Sequence, residues 1–142
     1  MSSPESRPAR SLSVLLVVTA LVTLAYWGDY FTNGEVKTVD ERWYTAFENA
    51  FPVADGWLAL TSLVAGIGLW RGARWGALTG LLAGSALLYL AGMDITFDLE
   101  NHLYDLVVSS PQMQFELLIN VWSLGLGIWT VLACWTRASS CG

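Results

Sequence analysis

Six carboxylates and one amide are the side chains with the most chemistry to offer: Asp29, Glu48, Asp55, Asp94, Asp98, Glu116 and Asn120. An all-oxygen set of this kind suits a cationic ligand or a hard divalent ion, and two carboxyls held side by side can share a proton and perform acid–base work. The spacing groups them. Asp55 follows Glu48 by seven residues, Asp98 follows Asp94 by four and Asn120 follows Glu116 by four, so each pair falls on one helical face. A shared proton is expected for a pair such as Asp55 and Glu116. No EF-hand-like run and no metal-ligand spacing is present, so no metal site is expected, and neither a cofactor nor a committed catalytic residue can be named. His102, the single histidine, falls in a polar stretch and reads as surface. Cys134 and Cys141 form no CxxC, which removes a quinone-dependent thiol oxidoreductase from consideration.

Those acids need elements to hold them, and the apolar runs supply these. The chain has 142 residues, 54% hydrophobic and only 13% charged, too little charge for a water-soluble globule. Four runs, at about 12–28, 52–70, 75–94 and 113–135, are each long enough to cross a hydrocarbon layer of roughly 30 Å. The expected fold is therefore all-α: a single membrane domain over 1–142, an integral four-helix bundle with short amphipathic interfacial helices on its outer side. Residues 1–11 read as a disordered lead, with Pro4 and Pro8. Arg7 and Arg10 before an apolar run also resemble a signal peptide, but the run continues into Tyr26-Trp27-Gly28-Asp29-Tyr30, an aromatic belt suited to a retained helix.

The remaining segments are outer ones, 29–51 and 95–112. In the first, Asn33-Gly34 signals a turn, and Trp43, Tyr44, Phe47, Ala50 and Phe51 recur at helical spacing opposite Glu41 and Glu48. Pro52 suits the first turn of the second span, which places Asp55 at its start. In the second, apolar positions 95, 99, 103, 106 and 107 fit another interfacial helix, ended by Pro111. Gly76, Gly80 and Gly84 place a small residue at every fourth position of the third span, a packing face in membranes. It serves either this chain's own bundle, where Ser62/Gly66 and Ser123/Gly127 match it, or a homodimer seam. Trp122, Trp129 and Tyr89 fall deep in the spans, and the Tyr89 hydroxyl should find a partner inside the bundle.

Charge orients the bundle. With both termini on one side, that side carries Arg7, Arg10, Arg71, Arg74 and Arg137 against Glu5 alone. The other carries Lys37 and Arg42 against the remaining eleven of the twelve acids. Positive residues stay cytoplasmic, so the N- and C-termini are expected in the cytoplasm of a multi-pass protein of the plasma or inner membrane, with an acidic extracytoplasmic face. Membrane lipid is the expected partner, with a protein partner or homo-oligomer as a further expectation. No nucleic acid is expected, since no basic stripe exists to neutralise phosphates.

Three roles follow as expectations. Composition alone favours a structural or accessory subunit of a membrane assembly, with the acids solvating an outer rim. The first alternative is a membrane binding protein or transporter with an acidic outer-side pocket for a cation or amphipathic ligand. The second is a sterol- or lipid-handling, isomerase-like enzyme using paired carboxylates. On that last point, Asp29, Asp55 and the turn Arg71-Gly-Ala-Arg-Trp75 give the chain a layout that looks somewhat like the sigma-2 receptor and emopamil-binding group of sterol-handling proteins. The resemblance implies a sterol-like substrate. The His/Glu arrangement expected of sterol isomerases within the spans is absent.

Overall fold

A computed structural model describes residues 6–34 and 36–139. Glu5, Glu35, Cys141 and the first five residues of the expected lead lie outside the described residues. The order is α1 (Ser6–Thr32), α2 (Arg42–Glu48), α3 (Pro52–Trp70), α4 (Arg74–Glu100), a 3₁₀ turn (Leu103–Leu106) and α5 (Pro111–Ser139). No strand occurs among the described residues. Four helices are long and apolar enough to cross a membrane, as a multi-pass membrane protein requires: α1, α2 with α3, α4 and α5.

Local chemistry sets the joints. α1 ends where the Asn33 and Gly34 N–H groups both return to the Asp29 carbonyl at 2.8 Å, with Gly34 at φ +70°. The α3–α4 turn repeats this device: Ala73 N–H reaches the Gly68 carbonyl at 2.9 Å and Gly72 takes φ +67°. Glycine alone accepts that left-handed backbone without a Cβ penalty. Pro52 and Pro111 occupy the first helical positions of α3 and α5, where no intrahelical N–H bond is lost.

The helices pack in sequence, α1 on α3, α3 on α4 and α4 on α5, each pair antiparallel, whereas α1 and α5 share few close backbone contacts. Close approach depends on small residues. A Cβ added at Gly66 would meet Val17 Cγ2 at 2.7 Å and the Ser13 carbonyl at 3.0 Å, and the Ser13 hydroxyl donates to the Gly66 carbonyl. Gly76 abuts Gly68 and Leu69 of α3, while Gly80 abuts Cys134 and Gly84 abuts Val131 and Gly127 of α5. The three glycines thus meet two different neighbours. Leucines and valines remain exposed around the circumference, among them Leu21, Leu60, Leu78, Val121 and Leu132. Hydrocarbon, not water, solvates such a surface.

Several boundaries differ from the sequence expectation. α1 starts at Ser6, so positions 6–11 are helical and not part of a disordered lead; Arg10 lies over the Trp70 ring at 5.6 Å and Leu12 is fully buried, which ties this end to α3. α4 runs six residues beyond Asp94 to Glu100, so no separate interfacial helix forms over 95–107 and only the 3₁₀ turn does. The acids did not stop the helix because Asp98 finds a donor on α5 (below). α5 extends to Ser139, beyond the expected end at 135. Glu48 is not opposite the aromatic face of α2: it lies four residues from Tyr44 and both are buried. Tyr89 is exposed and points away from the bundle interior, and Trp27, expected in the aromatic belt, is buried.

Candidate functional site: an acidic, aromatic-walled cavity

Beside the loosely closed α1–α5 seam lies a cavity of about 400 Å³. α1 supplies Val18, Val22, Tyr26 and Trp27 to its wall, and α5 supplies Phe115, Ile119 and Trp122. Leu58 of α3 with Leu90 and Ala91 of α4 form the floor. Four carboxylates crowd one end: Glu48 from α2, Asp55 from α3, Asp94 from α4 and Glu116 from α5. At the other end the Trp122 indole N–H donates to the Thr19 hydroxyl at 2.9 Å, clasping α5 to α1.

Each acid is held differently. Trp27 Nε1–H donates to Asp55 Oδ2 at 2.8 Å, a bond that both partners reach because Asp55 sits in the first turn of α3, beside the last turns of α1. The Tyr26 hydroxyl donates to Glu48 Oε2 at 3.2 Å. Glu116 Oε2 accepts from the Thr38 hydroxyl and from the Tyr44 hydroxyl, the latter at 3.3 Å. Asp94 accepts no hydrogen bond from any described residue, so its oxygens are left to whatever enters the cavity.

Behind this rim, and out of the cavity, lies a second layer. Asn120 Nδ2 donates to Asp98 Oδ2 at 2.9 Å and to the Tyr104 hydroxyl oxygen at 3.1 Å. Asp98 and Asn120 are 0% and 1% exposed. Asp98 is in hydrogen-bond contact with Glu116 as well, which couples the hidden layer to the rim. Tyr104 lies in the 3₁₀ turn; burial, foremost, with Asp98 nearby pushes its hydroxyl up to about 12, against the opposing pull of the Asn120 hydrogen bond, so it is a neutral phenol at physiological pH. Above the cluster, the Phe47 and Phe97 rings stack at 3.5 Å with an interplanar angle of 2°, flanked by Tyr44 and Trp43, and fasten α2 to α4.

Among the described residues no cation pairs with these acids. Among the described residues the one close approach of a basic to an acidic side chain is His102–Asp105, 3.9 Å apart, exposed and away from the cavity. Lys37 lies over the Tyr30 ring at 4.8 Å. Among the described residues no group of three or more His, Cys, Asp or Glu side chains is arranged to hold a metal ion.

Of the seven candidates, Glu48, Asp55, Asp94 and Glu116 converge on the cavity, and Asp98 with Asn120 stands directly behind it. Asp29 does not join them. Its carboxylate accepts from Asn33 Nδ2 at 2.9 Å and from the Val36 N–H at 3.1 Å, so it closes the loop after α1. The carboxyl in contact with Glu116 is Asp98, not Asp55, because Asp55 is engaged by Trp27. The hydroxyl and indole donors Tyr26, Trp27, Thr38 and Tyr44 were not among the sequence candidates. A signal for one of them was present in the four-residue step from Tyr44 to Glu48. Compared with protein-family models, with curated proteins and with solved structures, the chain has no significant match.

Proposed function

We propose that this chain binds a cationic amphipathic molecule, its charged group among Glu48, Asp55, Asp94 and Glu116 and its apolar part against the aromatic wall. One observation carries this reading: a cavity of about 400 Å³ with four carboxylates at one end and, among the described residues, no basic side chain lining it. That volume falls within the usual range for small-molecule pockets, roughly 300–1,000 Å³. Ionisable groups at membrane depth are costly and tend to mark a binding path or site, and Trp27, Tyr26 and Trp122 offer π-faces that attract a cation. A purely accessory role leaves the cavity without a purpose.

By the positive-inside rule we infer that the arginine-rich end, with both termini, faces the cytoplasm of a plasma or inner membrane, and that the acidic cavity opens toward the extracytoplasmic face. Lipid is the inferred partner around the circumference. Gly76, Gly80 and Gly84 are inferred to serve packing within the chain, since each abuts a residue of its own bundle.

The test uses the full chain in lipid nanodiscs, with 3-phenylpropyl-trimethylammonium and its neutral carbon isostere, in which a tert-butyl group replaces the ammonium. The ammonium compound should raise the melting temperature and the isostere should not. The double variant Glu48→Gln/Asp94→Asn should weaken the ammonium's affinity at least about tenfold, the loss expected for a charge contact in a partly desolvated site. Equal responses to both compounds, or none to either, would sink the reading and return weight to the accessory role.

A further inference from the structure

The fully buried Asp98 presents an accounting problem. Its Oδ2 accepts from Asn120, but its Oδ1 is shut away from water and has no donor. Against Asp98 stand the Tyr104 hydroxyl and the carboxyl of Glu116. Two ionised carboxylates are acceptors only, and a hydrogen bond between them exists only if one carries a proton. Each carboxyl is otherwise served by two neutral donors, Asn120 and Tyr104 on Asp98 and Thr38 and Tyr44 on Glu116. One proton therefore lies between the two carboxyls. The other titratable groups near the pair are Tyr26 of α1, Tyr44 and Glu48 of α2, Asp55 of α3, Asp94 of α4 and Tyr104 of the 3₁₀ turn, all acids, with no cation among them.

We infer that Asp98 and Glu116 jointly hold one proton and that a cation arriving at Glu116 expels it, so that occupancy of the cavity is an exchange of cation for proton. This rests on the ligand reading above and specifies what that binding costs the protein. Glu116 lines the cavity and Asp98 does not, so the ligand meets one member of the pair directly and the other only through it. In the exchange the O–H bond that joins the pair breaks, the proton leaves to water at the acidic end, and the ligand's positive charge replaces it beside the two carboxylates. No oxidant or other reactant is consumed. Linkage makes the effect reciprocal: protonation expels the cation as the cation expels the proton.

The experiment uses 3-phenylpropyl-trimethylammonium, whose charge does not titrate, with the full chain in nanodiscs. Calorimetry in buffers of different ionisation enthalpy counts protons released on binding. Wild type should release about one proton per ligand over the range in which the pair titrates, and affinity should rise up to about tenfold per pH unit there. In Asp98→Asn the amide NH₂ takes over as donor to Glu116 while its carbonyl still accepts from Asn120. Proton release should vanish and affinity should become independent of pH, two readouts that a merely structural role would not move. Glu116→Gln offers the same substitution from the opposite side should Asp98→Asn fold poorly. Binding without proton release in wild type, or release undiminished in the variants, overturns the exchange and leaves the cavity reading intact. No binding of the probe overturns both.

Discussion

The Trp27 indole N–H and Asp55 Oδ2 lie 2.8 Å apart, joining α1 to α3 at the acidic end of the cavity. Trp27→Phe keeps most of the ring volume and removes only the donor, leaving a partly buried carboxylate short of its partner. The expected cost is about 1–3 kcal/mol, the usual penalty for a lost hydrogen bond to a charged group. Denaturant titration in detergent micelles measures it, with Trp57→Phe, an exposed indole, as the reference. Equal losses in the two variants would show that the bond contributes nothing.

Two glycines of α4 should respond in opposite directions. A Cβ at Gly84 would lie 2.9 Å from Val131 Cγ2, 3.1 Å from the Val131 amide nitrogen and 3.2 Å from the Gly127 carbonyl oxygen. The last two are backbone atoms, which cannot step aside without moving α5. Gly84→Ala is expected to cost about 1–3 kcal/mol through overpacking. Nothing lies within 4 Å of a Cβ at Gly92, so Gly92→Ala should stabilise by about 0.5–1 kcal/mol through helix propensity alone. Melting temperatures of the pair check both signs.

The Phe47–Phe97 stack invites a double-mutant cycle with leucine at each position. A coupling of about 0.5–1.5 kcal/mol is expected beyond the two single losses. Additive losses would mean that the rings are merely adjacent. Because this stack holds α2, and with it Glu48, over the cavity, the ligand affinity of Phe97→Leu should fall along with its stability.

Tyr104 sets an alkaline signature. Its hydroxyl ionises near 10 in the unfolded chain and is pushed up to about 12 in the folded one. Below 10 both states keep the proton and the difference contributes its full stability. As pH rises from about 10 to about 12 the unfolded state ionises first and that contribution is lost. Ultraviolet titration of the phenolate should show one tyrosine ionising near 12 that is missing in Tyr104→Phe, and the variant should lose less stability than wild type across that interval. Identical alkaline profiles would refute the assignment.

Much of this was legible in the residues and some was not, for physical reasons. Long apolar runs and terminal prolines mark helices strongly, so the span from Pro52 to Trp70 was read with its bounds. The convergence of Asp55, Asp94 and Glu116 was legible too, since each acid falls at the same end of a run of known rise. The fate of Asp29 was not, because its nearest donors, Asn33 and the Val36 N–H, lie in a loop whose path no periodicity records. Asp98 was misplaced for the opposite reason. An acid following an apolar run reads as the exit from a helix, unless a donor on another element hydrogen-bonds it, and that donor, Asn120, is 22 positions away. Tyrosines and tryptophans near helix ends satisfy a lipid belt and a buried carboxylate equally well in sequence, and only packing separates Trp27, which faces Asp55, from Trp57, which faces outward.

Trp27 and Trp122 place two of the eight indoles in one cavity wall, at its opposite ends. One is tethered to a carboxylate and the other to the hydroxyl that clasps α1 to α5. An occupant must perturb the first, and any parting of the seam must perturb the second. Variants that keep one of these two indoles as the sole tryptophan would therefore report filling of the cavity and opening of its side separately, with no dye attached.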